Sequence, residues 1–170
     1  MPTRAIFVAS NTGEWRDRAG SSKGISNASD FAHLLDSREW ADVIVSSGET
    51  VRANNYSPTR KPLRIISSRS RSDFARLYQS EQFQVINDSA SDLLDRLRLE
   101  FDNILVEFGP TLLREALEQN ALDEFDLSIT GDFDLDDLRE LLIDLPFELE
   151  FSDYEVLKQS AQFALVRFYL

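Results

Sequence analysis

Three short segments of this chain combine small, hydroxyl or basic residues in ways that suit an anionic ligand. Ser46-Ser47-Gly48-Glu49-Thr50-Val51-Arg52 follows an apolar run. Its hydroxyls and its glycine let backbone come close to a ligand, and exposed N–H groups can hold phosphate oxygens. In Glu107-Phe108-Gly109-Pro110-Thr111-Leu112-Leu113 an apolar run gives way to a helical pattern after a single glycine, with Pro110 at a suitable first helical position. The free N–H groups and the positive dipole end of such a helix form a natural pyrophosphate site. Ser67-Ser68-Arg69-Ser70-Arg71 sets hydroxyls beside guanidinium groups, which match the oxygens of a phosphate monoester. Each segment also has an ordinary reading: a strand-to-helix turn, a tight turn with proline at its start, and a solvated basic loop. There is no G-x-G-x-x-G, so a Rossmann-type site is not supported.

The charge distribution sharpens the third segment. The 170 residues carry a net charge of −12, which repels nucleic acid and anionic membrane and leaves neither as an expected partner. Yet Arg60 to Arg76 holds six bases against one acid, whereas Asp132 to Glu155 holds ten acids against Arg139 alone. A basic island in an acidic chain is a place where a small anion could be met, or a solvated counterweight to the acidic tail. The acidic stretch reads as a solvated surface without EF-hand spacing. Cysteine is absent and His33 is the only histidine, so no thiolate site, no nucleophile–histidine set and no metal site is expected. His33 itself reads as structural or exposed, and Trp15 and Trp40 as packing residues.

These segments need elements to hold them. Five apolar, β-branched runs at 4–9, 42–46, 63–67, 83–86 and 103–107 are near-continuous rather than alternating, which suits central strands covered on both faces. Helical spacing lies between them at Ser29–Trp40, Ser72–Gln79, Ser91–Phe101 and Pro110–Asn120. Strand alternating with helix predicts a largely parallel sheet with right-handed crossovers. Later runs at 125–130 and 147–157 alternate apolar with polar residues, and 161–168 is a third extended run, which predicts antiparallel strands added at the sheet edge, the alternating ones with one face exposed. The expected fold is α/β, with a mostly parallel central sheet, helices on both faces and antiparallel C-terminal strands; that order fits a dihydrofolate-reductase-like fold and several other α/β folds as well. A single domain over 1–170 fits the length. All three candidate loops then lie at the carboxyl ends of strands, where open α/β sheets bind ligands.

Five segments, in order, carry a family pattern: Ser22-Lys23-Gly24-Ile25-Ser26, Glu49-Thr50-Val51-Arg52-Ala53-Asn54-Asn55-Tyr56, the Glu107–Leu113 loop, Leu122-Asp123-Glu124-Phe125 and Val166-Arg167-Phe168-Tyr169. Together they resemble the pyrimidine reductase domain of riboflavin biosynthesis over essentially the whole chain. The resemblance implies hydride transfer from NADPH to a phosphorylated aminopyrimidine, opening its ribose ring. It implies cofactor contacts from Ser46, Ser47, Gly48, Thr50, Glu107, Phe108, Gly109, Pro110, Thr111 and Leu112. The basic loop of Ser67, Ser68, Arg69 and Arg71 would then meet the 2′-phosphate. Ser22, Lys23, Ser26, Arg52, Asn54 and Arg60 go to the substrate, with Lys23 and Asn54 nearest the reacting atoms. It also implies a homodimer. A cytoplasmic location is the default for an N-terminus that enters a strand-like run at once.

The chain departs from the pattern at defined positions. Asn54 stands where the family has an acid, Phe108 and Gly24 where it has a glycine and a tryptophan, and Ser47 and Glu49 where it has two glycines. A side chain at 108 is expected to crowd the pyrophosphate, and Glu49 to add a charge beside it. The departures define a second reading: a catalytically silent reductase-like domain that binds a nucleotide-like ligand or a protein partner.

Overall fold

The computed structural model describes residues 2–54, 60–77 and 83–170. Its strands β1 (Thr3–Ser10), β2 (Val43–Ser47), β3 (Leu63–Ile66), β4 (Phe83–Ile86), β5 (Ile104–Glu107), β6 (Glu124–Thr130), β7 (Asp153–Ser160) and β8 (Phe163–Tyr169) form one sheet. The strand order is β4-β3-β2-β5-β1-β6-β8-β7. Every pairing from β4 through β6 is parallel, and only β8 and β7 run against their neighbours. The five early strands thus form as read from their apolar runs, and the parallel-then-antiparallel order holds.

The helices are α1 (Ala28–Trp40), α2 (Gly48–Ala53), α3 (Ala90–Leu97), α4 (Pro110–Glu118) and α5 (Leu138–Asp144). One face of the sheet is apolar. Ala5, Val43, Val45, Val106, Phe125, Leu127, Val166 and Phe168 meet Leu93 and Leu94 of α3, Leu113 and Ala116 of α4, and Leu138 and Leu141 of α5. A second, smaller cluster on the other face joins Ile44, Leu63, Ile65 and Leu105 to Val51 of α2 and to Phe74. Alternate residues of one strand therefore enter different layers, as the pleat requires.

Four expectations are corrected. First, β6 is not an antiparallel edge strand with an exposed face. It lies between β1, to which it is parallel, and β8, and Asp126, Ser128 and Thr130 are buried like the apolar residues between them. Its alternation marks an apolar layer on one side and a polar interface on the other, not water. Second, 147–157 is not one strand. Phe147 is buried and meets Phe7 and Phe125 edge-on at 5.1 and 5.7 Å, so the chain is pinned beneath the apolar layer before β7 begins at Asp153. Third, the acidic stretch is not only solvated surface. The spacing of Leu138, Leu141 and Leu145 buries one side of α5 and its exit, an i, i+3, i+7 signal submerged in carboxylates. Fourth, the expected helix at Ser72–Gln79 is a short 3-10 segment, Arg71–Leu77; Tyr78 and Gln79 lie outside the described residues.

Candidate functional site

The carboxyl ends of the parallel strands carry the three candidate loops side by side, because β3, β2 and β5 are consecutive in the sheet. Ser47 ends β2 and caps α2: its Oγ accepts from Thr50 N at 3.0 Å and donates to Thr50 Oγ1 at 2.8 Å. A Cβ at Gly48 would come within 2.8 Å of Ser67 Oγ. The glycine therefore lets α2 close on the loop after β3. A Cβ at Gly109 would lie 3.3 Å from Thr50 Oγ1, which joins the loop after β5 to the same rim. The expected segments are thus in mutual contact.

The α4 end differs from the α2 end. No side chain caps it, and Gly109 and Pro110 lead directly into the first turn. With α2 closed by its own serine, the amides of Thr111 and Leu112 are the ones suited to hold an anion. Phe108, expected to crowd this position, is buried in the apolar layer against α4 instead. Glu49 is exposed on the first turn of α2. Glu107 turns its carboxylate to α1, where Arg38 donates to both oxygens at 2.8 Å, and its carbonyl accepts from Ser46 Oγ at 2.9 Å. These bonds fix the loop from behind.

The basic loop lines a depression of 380 Å³ with Phe83 to Asn87 of β4 and the residues that follow it. Ser67 Oγ accepts from Arg69 N at 3.0 Å, which folds the loop on itself, and the Arg71 guanidinium lies 5.4 Å from the Phe83 ring centre. Hydroxyls, two arginines and a concave wall are a chemically suitable setting for a phosphate monoester.

The expected substrate residues are less tightly gathered. Asn54 at the end of α2 meets the turn at Ser21 and Ser22, and Lys23 follows, exposed. Ser21 escaped the sequence reading; its position directly before the Ser22-Lys23 motif was the available signal. Ser26 instead hydrogen-bonds Asp30 at the start of α1. Arg52 is exposed with its guanidinium 5.7 Å from the Phe74 ring, on the β3 side. Arg60 is exposed ahead of β3. A Cβ at Gly24 would lie 2.6 Å from Asp17 Oδ2, so a tryptophan there would collide with the turn as it stands.

His33, expected to be structural or exposed, is structural and belongs to a buried charge network. Its Nε2 lies 3.2 Å from Asp126 Oδ2, and Arg167 grips both oxygens of Asp126 at 2.7 and 2.8 Å. Arg4 pairs with Glu124 at 2.7 Å and stacks 3.8 Å over Trp40. Burial alone would raise the Asp126 carboxyl; the hydrogen bonds and charges of Arg167 and His33 outweigh it and leave the group below the ordinary aspartate value. The Asp126 hydrogen bond conversely raises Arg167 against its own burial. This network lies under α1, away from the rim.

A mostly parallel sheet ending in antiparallel strands, with its loops gathered at the carboxyl edge, defines the dihydrofolate reductase class of α/β fold. Enterococcus faecalis dihydrofolate reductase, solved with NADP(H), superposes with a TM-score of 0.64 over 99% of this chain and 95% of its own, at 12% identity. A pyrimidine reductase-like protein from Corynebacterium diphtheriae gives a TM-score of 0.69 over 99% and 91%, at 17% identity. Acinetobacter baumannii RibD gives 0.71 at 16% identity, with 99% of this chain matching 58% of that one. Among curated proteins no match was found. Within this class the chain belongs to the family of the RibD C-terminal domain, whose model matches residues 6–131. The family supports a reductase role for the chain. No helix among the described residues is long and apolar enough to cross a membrane.

Proposed function

We propose that the chain is an NADPH-dependent reductase acting on a phosphorylated aminopyrimidine, as in riboflavin biosynthesis, or on a related small substrate. The observation that carries this reading is the continuous rim formed by Ser67, Gly48, Thr50 and Gly109 beside an uncapped helix end. In this reading Ser46, Ser47, Gly48 and Thr50 shape the floor of the cofactor site. Gly109, Pro110, Thr111 and Leu112 receive the pyrophosphate, and Ser67, Ser68, Arg69 and Arg71 receive the 2′-phosphate. Glu107 holds the loop through Arg38, and Phe108 anchors it in the core. The exposed cations Lys23, Arg52 and Arg60 attract the substrate phosphate, while Ser22, Ser26 and Asn54 frame the other side. NADPH supplies the hydride when bound; the chain's residues bind, orient and supply charge.

The test is loss of reduced-nicotinamide absorbance when the protein is mixed with NADPH and the phosphorylated aminopyrimidine. Turnover is the expected result. A folded sample that binds neither NADPH nor NADH would favour the catalytically silent reading.

We also propose a homodimer. Phe151, Tyr154, Leu157, Tyr169 and Leu170 remain exposed around β7 and the chain end, apolar surface that a protein contact would cover. Light scattering should give a species heavier than the 19.4 kDa chain; the monomer mass at every concentration would refute this.

A further inference from the structure

Three donors converge on one oxygen at the C-terminal end of α2. Asn54 Oδ1 accepts from Ser21 Oγ at 2.9 Å, from Ser22 N at 3.2 Å and from Ser22 Oγ at 3.2 Å. Chemistry settles which way the amide faces. A backbone N–H can only donate, so the oxygen and not the nitrogen must face Ser22. Ser21 Oγ also accepts from Lys23 N at 3.1 Å, so its single proton is committed to Asn54. The backbone is held as well, with Asn54 N donating to Thr50 O at 3.0 Å. Asn54 Nδ2 is therefore turned away from the turn, and it has no partner among the described residues. The nearest charges on the turn are accounted for: Asp17 accepts from Ala19 N and Ser21 N at 2.8 and 3.0 Å, and Lys23 is exposed.

We infer that Asn54 is a fixed hydrogen-bond donor to the substrate, and that the atom it meets is an acceptor, either an oxygen or an unprotonated ring nitrogen. The inference rests on the reductase reading and deepens it. A carboxylate at this place would accept a hydrogen bond or exchange a proton; an amide only donates and does not titrate. Residue 54 then transfers no proton. NADPH, when bound, would supply a hydride to the electrophilic carbon and itself be oxidised. The bond from that carbon to its heteroatom breaks or loses its π character, and the electron pair goes to the heteroatom. That atom is protonated by water while Asn54 holds it. Ser21 and Ser22 are positioning residues that act through Asn54.

The experiment compares the parent protein with Asn54→Asp and Asn54→Leu, using NADPH and the phosphorylated aminopyrimidine, from acid to alkaline pH. Asp keeps an acceptor for both serines but loses the donor whenever it is ionised, and the three donors favour its ionised form. Asn54→Leu should lower kcat/KM by about tenfold to a hundredfold, the scale of one unpaired polar partner, with NADPH affinity unchanged. The ratio of Asn54→Asp to parent should rise as pH falls, because protonation restores a donor. Ser22→Ala should lower kcat/KM less than Asn54→Leu, since Ser21 and the Ser22 amide still orient the oxygen. Parent-like turnover by Asn54→Leu, or a pH-independent ratio, overturns the inference while leaving the reductase reading standing. NADPH bound without turnover of the pyrimidine removes that substrate and this assignment together. Failure of the parent to bind NADPH overturns the reductase reading itself.

Discussion

The two faces of the sheet are built differently. On one, Leu93, Leu94, Leu113, Leu138 and Leu141 from three helices press on an apolar layer. On the other, α1 crosses the sheet with only Ser37 fully buried and with Phe31 and Leu35 exposed. It is tied down by Arg38 to Glu107, His33 to Asp126 and Trp40 to Arg4. Apolar burial is non-directional and tolerates small shifts, whereas paired charges and forks fix geometry. The apolar face supplies cohesion, and the polar face sets where α1 sits and, through Arg38, where the cofactor loop sits.

The largest break in that contrast is Asp126→Ala. It strands Arg167 and His33 against a closed face and should cost about 3–5 kcal/mol, the range for removing one partner of a buried ion pair. Leu94→Ala on the apolar face should cost about 2–5 kcal/mol by leaving a cavity. Denaturant midpoints measure both. A loss below 1 kcal/mol for Asp126→Ala would mean that α1 is held by packing after all.

A smaller effect separates the faces by pH. The folded-state pKa of Asp126 is depressed, so its contribution is fully present above the unfolded value of about 4 and is lost as pH falls through the folded value. Urea midpoints below about pH 4 should therefore fall less steeply for Asp126→Asn than for the parent. Parallel curves would contradict this. Smaller again is Arg38→Ala, which removes two charge-assisted bonds to a nearly buried carboxylate and should cost about 1.5–3 kcal/mol of stability. It should also weaken NADPH binding, which Leu94→Ala should not once the protein is folded. Equal cofactor affinities in the two variants would break the link between α1 and the loop.

The same contrast decides what could be read in advance. The central strands were legible because both layers demand apolar, β-branched residues there, and their ends came within one or two positions. The rim was legible because Gly48 and Gly109 mark places where elements close on each other. The polar face was not. Asp126 and Arg167 are neighbours only through the β6–β8 pairing, and His33 joins them across more than ninety positions of chain, so periodicity alone read β6 as half-exposed. The α5 helix was missed because its apolar spacing lies inside an acidic run. Asn54 was legible as a departure, but its meaning depends on the turn at Ser21 and Ser22, a contact that no local pattern announces.

The central claim is that the rim receives a phosphorylated dinucleotide, and paired titrations of the parent and Arg69→Ala with NADPH and NADH test it most directly. The account predicts that the parent binds NADPH more tightly than NADH, and that Arg69→Ala narrows the gap by about 1–3 kcal/mol, the scale of a charge-assisted hydrogen bond. Equal affinity of the folded parent for both cofactors would contradict it.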